Sequence, residues 1–241
     1  MPDTLAHRKI FGVLVPYFNS VVEPELASLR PDGVSNQTAR FSLDADVLEQ
    51  IAGAAERLAT CGAEAFIVGL ATESFAGGLE LLQEGVDAIS TRTGLPVFTA
   101  THATQAAVTA IGAKRVAIVT PFDAEGNANV RAFYDAAGFE VVAIHGLACA
   151  SFDVIARSSS HDIRRAFERV DSTEVEALVQ IGTGLPTLDL VTELEAKHDK
   201  PVVTCNAASY WQALRVSGIE DRLEGFGRLL ADRVAVTRPR S

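Results

Sequence analysis

The chain has 241 residues, 48% of them hydrophobic and 22% charged, with a formal net charge of -10. That length and balance allow one large α/β domain, or two small units sharing an interface, around a sizeable core. The acidic excess excludes non-specific binding to nucleic acid or an anionic membrane, which needs a basic face, but leaves open a small anionic ligand held by amide and hydroxyl donors.

In chain order, the apolar run FGVLVP (11–16) reads as a buried strand, and Pro16 breaks it too early for a secretory signal. A helical pattern over 44–61 follows, then the strand AFIVGL (65–70), a helix over 79–93, the strand PVFTA (96–100) and a helix over 102–111. The alternation resumes with RVAIVTP (115–121), a helix over 127–137, EVVAI (140–144), a helix over 161–169 and ALVQIG (177–182). A helix over 187–198, the strand PVVTC (201–205), a helix over 207–217 and a last helix over 219–232 complete the pass. Near-continuous apolar runs suit parallel strands covered on both faces. Their alternation with amphipathic segments predicts an α/β fold with a largely parallel sheet. Gly62, Gly94, Gly112, Gly138 and Gly218 stand where helices should stop. No apolar stretch reaches the ~18 residues that span a bilayer. Cys61, Cys149 and Cys205 are too widely spaced for a zinc site, and a reduced, cytoplasmic setting is the simplest account of them.

The two halves of the chain repeat each other at a spacing of about 105 residues. GVLVPYFNS echoes VAIVTPFDAEGN, GAEAFIVGLATESF echoes EVEALVQIGTGLPT, and LPVFTATHATQAAVTAIG echoes KPVVTCNAASYWQALRVSG. The reading is a duplication: two similar Rossmann-like units with parallel sheets, related by a pseudo-two-fold axis, with the active-site cleft between them. Their expected extents are 1–112 and 113–218, with the segment 219–241 packing back onto the first.

In open parallel sheets, ligands bind beyond the C-terminal strand ends, where loops and helix N-termini offer free N–H groups. Those positions hold Tyr17 and Asn19, then Ala71, Thr72, Glu73 and Ser74, then His102, Phe122 and Asn127, and finally Gly182, Thr183, Gly184, Cys205 and Asn206. Such a pocket is rich in amides and hydroxyls and poor in fixed cations, and it suits carboxylates and an enediolate. Glu73 is the leading acid/base, its alternative being a first-turn helix residue. His102 is either a proton shuttle or a helix-start residue. Cys205 is either a nucleophile or a small buried hydrophobe. Helix capping competes with ligand binding for Asn19 and Asn127, packing does so for Tyr17, and Gly182-Thr183-Gly184 reads as a tight turn with N–H groups facing a ligand. With no Walker or GxGxxG fingerprint after a strand, no nucleotide cofactor is expected, and no residue pattern reads as a metal site.

LVPYFNSVVEPEL (14–26), VGLATESFAGG (68–78), VAIVTPFDAEGNANVRAF (116–133), ALVQIGTGLPTLDLV (177–191), PVVTCNAASYW (201–211) and GFGRLL (225–230) resemble the aspartate/glutamate racemase superfamily. The resemblance is to the branch of maleate isomerases and arylmalonate decarboxylases. It implies carboxylate contacts at Asn19, Phe122 and Asn127, hydroxyls for a dioxyanion pocket at Thr72 and Ser74, and a homo-oligomer. Racemases and isomerases of this superfamily carry one cysteine in each half, and the decarboxylases keep the second. Here those positions read as Leu70 and Gly182, and Phe122 stands where a decarboxylase has tyrosine. The expected function is a cofactor-independent isomerase or decarboxylase acting beside the carboxylate of a small mono- or dicarboxylic acid, with a non-family acid/base. The competing readings are a carboxylate-binding sensor and a hydrolase using Cys205 or an activated water.

Overall fold

The computed structural model describes residues 3–44, 46–232 and 234. The first four strands, β1 (Lys9–Pro16), β2 (Val34–Phe41), β3 (Ala65–Val68) and β4 (Val97–Thr99), form a parallel sheet in the order β2-β1-β3-β4. The next four, β5 (Arg115–Thr120), β6 (Glu140–Gly146), β7 (Ala177–Gln180) and β8 (Val202–Thr204), form a second in the order β6-β5-β7-β8. Helices α1 (Val22–Ser28), α2 (Val47–Ala59), α3 (Gly78–Thr93) and α4 (Ala100–Ala110) belong to the first sheet. Helices α5 (Ala124–Ala136), α6 (Phe152–Ala156), α7 (Ser160–Val170), α8 (Val191–His198), α9 (Cys205–Val216) and α10 (Arg228–Ala231) follow in the second half.

The duplication is visible in both register and caps. β1 meets β3 from Phe11 opposite Ala65 to Leu14 opposite Val68, and β5 meets β7 from Val116 opposite Ala177 to Val119 opposite Gln180. Thr99 caps α4 by accepting the His102 N–H, and Thr204 caps α9 by accepting that of Ala207. Each hydroxyl satisfies one of the orphan donors at a helix start. α4 packs on α9 across the pseudo-two-fold axis, and the alanines Ala103, Ala107, Ala207 and Ala208 are all buried there. One hydrophobic core joins Phe11 and Ile67 of the first sheet to Val116 and Val179 of the second, with Trp211 of α9 fully buried between them. All five glycines expected to end helices have positive φ.

The structure corrects the sequence reading in three places. β2 is an eighth strand, missed because its VSNQTARF segment is buried only at its two ends. α1 and α6 were also missed, being 7 and 5 residues long, too short for a clear period. The last helix expected over 219–232 shrinks to Arg228–Ala231, and residues 219–227 are irregular, tied to the first unit by Arg8 on Asp221 at 2.5 Å. Residues 235–241 of that expected segment lie outside the described residues. Among those described, no helix is long and apolar enough to cross a membrane.

Candidate active site

The C-terminal ends of β1, β3, β5 and β7 converge on a cavity of ≈ 190 Å³ between the two units. Its polar wall comes from Asn19, Ser20, Ser74 and Thr183, with Ala71, Gly182 and Gly184 beside them. The rest of the lining is largely apolar, with Leu43, Leu70, Phe75, Phe122 and Ile155. Phe18 of the first unit stacks on Phe152 of the second, with ring centroids 3.9 Å apart and planes at 15°, and both rings line the cavity. Every lining side chain is non-ionisable.

Asn19 both orders the turn before α1 and lines the cavity. Its Oδ1 accepts the N–H groups of Val21 and Val22 at 2.9 and 3.0 Å, which holds the turn leading into α1. That fixes Nδ2 toward Thr183 Oγ1 at 3.1 Å, and the Thr183 hydroxyl donates to the Gly69 carbonyl at 3.0 Å. The two units are thus stitched together at the floor of the cleft. An amide nitrogen carries two hydrogens, so Asn19 keeps one for a ligand. Ser74 donates to the Ala71 carbonyl at 3.3 Å, which closes the loop after β3. Gly182 adopts φ +109°, and a Cβ there would lie 2.5 Å from Pro121 Cδ, so the backbone itself requires glycine.

Of the residues singled out in the sequence, Asn19, Ala71, Ser74, Phe122, Gly182, Thr183 and Gly184 line this cavity. The others are placed elsewhere. Tyr17 is 62% exposed, with its ring edge on Phe18. Thr72 faces Thr101, donating its N–H to the Thr101 hydroxyl at 3.3 Å. Asn127 accepts from the Thr120 hydroxyl at 2.6 Å and sits in the first turn of α5, whose cap is Asp123. Asn206 is buried behind Thr183, donating to the Thr183 carbonyl at 3.0 Å. His102 is exposed on the first turn of α4.

Glu73 turns into the interior. One oxygen accepts the Thr101 hydroxyl, and the other has no partner among the described residues. Burial raises its carboxyl above the ordinary carboxylate range, against the Thr101 bond. The Tyr134 hydroxyl is equally buried and unpartnered, and burial, then the nearby Glu73 charge, hold its proton on. Cys205 is fully buried with its Sγ 3.8 Å from Gln180 Oε1, and burial pushes the thiol far above its usual range. Among the described residues, no group of three or more His, Cys, Asp or Glu is placed to hold a metal.

The sequence reading missed much of the apolar lining: Leu43, Phe75, Phe152 and Ile155 lie outside the strand-end stretches, and Phe18 and Leu70, inside them, were given no binding role. It also missed Glu25 behind the cleft. For Phe18 the one available signal was its place just beyond β1; for Phe152 and Ile155 there was none.

Two duplicated α/β units that meet at a cavity lined by amide, hydroxyl and apolar side chains define the class of protein. The family model for arylmalonate decarboxylase matches residues 11–230. The chain belongs to the arylmalonate decarboxylase family. It is 29% identical over 237 residues to an arylmalonate decarboxylase of Bordetella bronchiseptica, an alignment covering 93% of this chain and 97% of that protein. A maleate isomerase of Nocardia farcinica is 31% identical over 129 residues, about half of each protein (53% and 51%). Among solved structures, an arylmalonate decarboxylase superposes with a TM-score of 0.78 at 25% identity, covering 92% of this chain and 98% of that one. The maleate isomerase of Pseudomonas putida S16 superposes at 0.81 and 21% identity, covering 93% and 99%, which shows a shared fold.

Proposed function

We propose that the chain is a cofactor-independent decarboxylase of substituted malonates, working through an enediolate. The observation that carries this reading is the wall chemistry: apolar side chains beside amide and hydroxyl groups, with no ionisable side chain in the lining. Breaking the bond between the α-carbon and a carboxylate needs no acid or base. The leaving carboxylate departs as CO₂, and its bonding pair passes to the α-carbon and into the remaining carboxylate. Two conditions favour that step. The leaving carboxylate must lie in a poorly solvating environment, which Leu43, Leu70, Phe75 and Ile155 provide. The oxygens that gain charge must meet donors: the second amide hydrogen of Asn19 is placed for this, and the Ser74 and Thr183 hydroxyls reach the cavity by turning from the Ala71 and Gly69 carbonyls.

Isomerisation of an alkene by thiol addition fits less well, because Cys205 is buried outside the cavity with its proton held on. The same holds for a hydrolase built on Cys205. The proton that completes the decarboxylation goes to the α-carbon, and we assign it to water ahead of Glu73, whose carboxyl points away from the cleft. A cytoplasmic homo-oligomer belongs to the same reading, and three unpaired thiols suit a reducing compartment.

The test is proton NMR in D₂O with phenylmalonate and a 2-methyl-2-aryl malonate. The expected result is loss of CO₂, deuterium at the α-carbon, and a racemic product from the methylated substrate. Turnover surviving Glu73→Gln assigns the proton to water, whereas its loss returns the role to Glu73. Saturable binding without turnover across malonates would replace this reading with a carboxylate-binding sensor, which the absence of both superfamily thiols also favours.

A further inference from the structure

Glu25 lies in the middle of α1, in the first unit, yet its carboxylate is engaged entirely by the second. Oε1 accepts the backbone N–H groups of Thr187 and Leu188, each at 3.0 Å, and Oε2 accepts Asn206 Nδ2 at 2.7 Å. The same Asn206 nitrogen donates to the Thr183 carbonyl at 3.0 Å. Two hydrogen bonds therefore separate Glu25 from the Thr183 peptide. On the cavity side, Asn19 and the Gly69 carbonyl hold the Thr183 hydroxyl. The 183–188 segment is gripped from the front by wall residues and from behind by a buried carboxyl.

We infer that Glu25 is a positioning residue for the cleft, and that a carboxylate bound in the cavity and a proton on Glu25 are taken up together. The identity of the bound anion rests on the decarboxylase reading; the clamp does not. Two negative charges on either side of one buried backbone segment oppose each other. Burial already lifts the Glu25 carboxyl from its ordinary 4.5 to about 7, outweighing its three donors, and Asp189 adds to the rise.

The surrounding charges do not neutralise it. Arg40 of β2 is engaged by Glu23 at 2.8 Å and by the carbonyls of Tyr17 and Asn19. From α9, the Cys205 thiol holds its proton partly because of Glu25, Tyr210 donates to Asn36 at 3.0 Å, and Arg215 donates to the Ile219 carbonyl at 2.8 Å. An anion arriving in front of Thr183 therefore raises Glu25 further. By linkage, a proton on Glu25 tightens the anion by the same factor.

The first experiment needs no ligand: a pH titration of the amide resonances of Thr187 and Leu188. They are expected to move together with a midpoint near the Glu25 value of about 7, and to stay flat in Glu25→Gln. The second is calorimetry with phenylmalonate in buffers of different ionisation enthalpy. Wild type should take up a proton near neutral pH and bind at least about fivefold tighter at acidic than at alkaline pH, while Glu25→Gln loses both effects. A purely structural Glu25 would not produce proton uptake. Should Glu25→Gln fail to fold, the wild-type titration decides: flat Thr187 and Leu188 amides between about pH 5 and 9 overturn the inference. Phenylmalonate binding without proton uptake also overturns it and leaves the decarboxylase reading intact. Absent phenylmalonate binding counts against the decarboxylase reading, and the ligand-free titration still settles the clamp.

Discussion

The two units share a backbone plan and differ in what lies behind their loops. Thr99 and Thr204 cap the equivalent helices α4 and α9 in the same way. The repeat pairs Leu70 with Gly182 and, three residues on, Glu73 with Leu185. In the first unit Glu73 is buried with one oxygen unpartnered. In the second, Leu185 is fully buried and the carboxylate arrives from the opposite unit, as Glu25 with three donors. Strands and caps survived the duplication because they answer to backbone hydrogen bonding, which is alike in both copies. The polar interior diverged, because each buried charge answers only to the partners at its own site.

The largest expected effect probes the paired loop positions. Gly182→Ala forces a left-handed φ on an L-residue and drives Cβ into Pro121, so a loss of about 3–4 kcal/mol in urea unfolding is expected. Leu70→Ala, at the matched position on the cavity wall, should cost only about 1–2 kcal/mol. Equal losses at the two sites would show that the loops are backbone-equivalent after all.

The next contrast is between the two acids. Glu25→Ala orphans two buried N–H groups and the Asn206 amide and should cost about 3 kcal/mol by the same assay. Glu73→Gln keeps an acceptor for Thr101 and removes an ionisable group from the interior. It should fall within about 1 kcal/mol of wild type, toward greater stability.

The last contrast is the pH dependence. Both folded-state carboxyls are raised, so their contribution is fully present below the unfolded value of 4.5 and declines as pH rises through the folded one, about 7 for Glu25. The free energy of unfolding should therefore fall between about pH 4.5 and 7, by an amount of order 2 kcal/mol, and Glu25→Gln should flatten that fall. A midpoint that rises over the same window would mean that Glu25 is ionised throughout and stabilised by its donors.

The fold was legible where apolar runs marked buried strands and glycines marked helix ends. Val34–Phe41 was not, because an edge strand with partly buried polar residues carries no alternation to read. The cleft itself could be read from topology, and Asn19, Ser74 and Thr183 line it as strand-end logic expects. Side-chain direction could not be read. Glu73 and Ser74 are neighbours in the chain, yet one faces the interior and the other the cavity, and only the loop's folded path separates them. The apolar wall is assembled from α6 and three loops, with no period to betray it. Glu25 carried no signal of its own, because nothing local announces that Thr187 and Leu188 will fold over it.

Gly182 has a consequence for descent. A single substitution to cysteine there would meet Pro121 in a backbone conformation that side chains rarely adopt. A thiol could be tolerated at this turn only after Pro121 moved or the turn was reshaped. Geometry therefore closes this position to one-step changes: any single side chain placed there leaves a chain that folds less well than the one it started from.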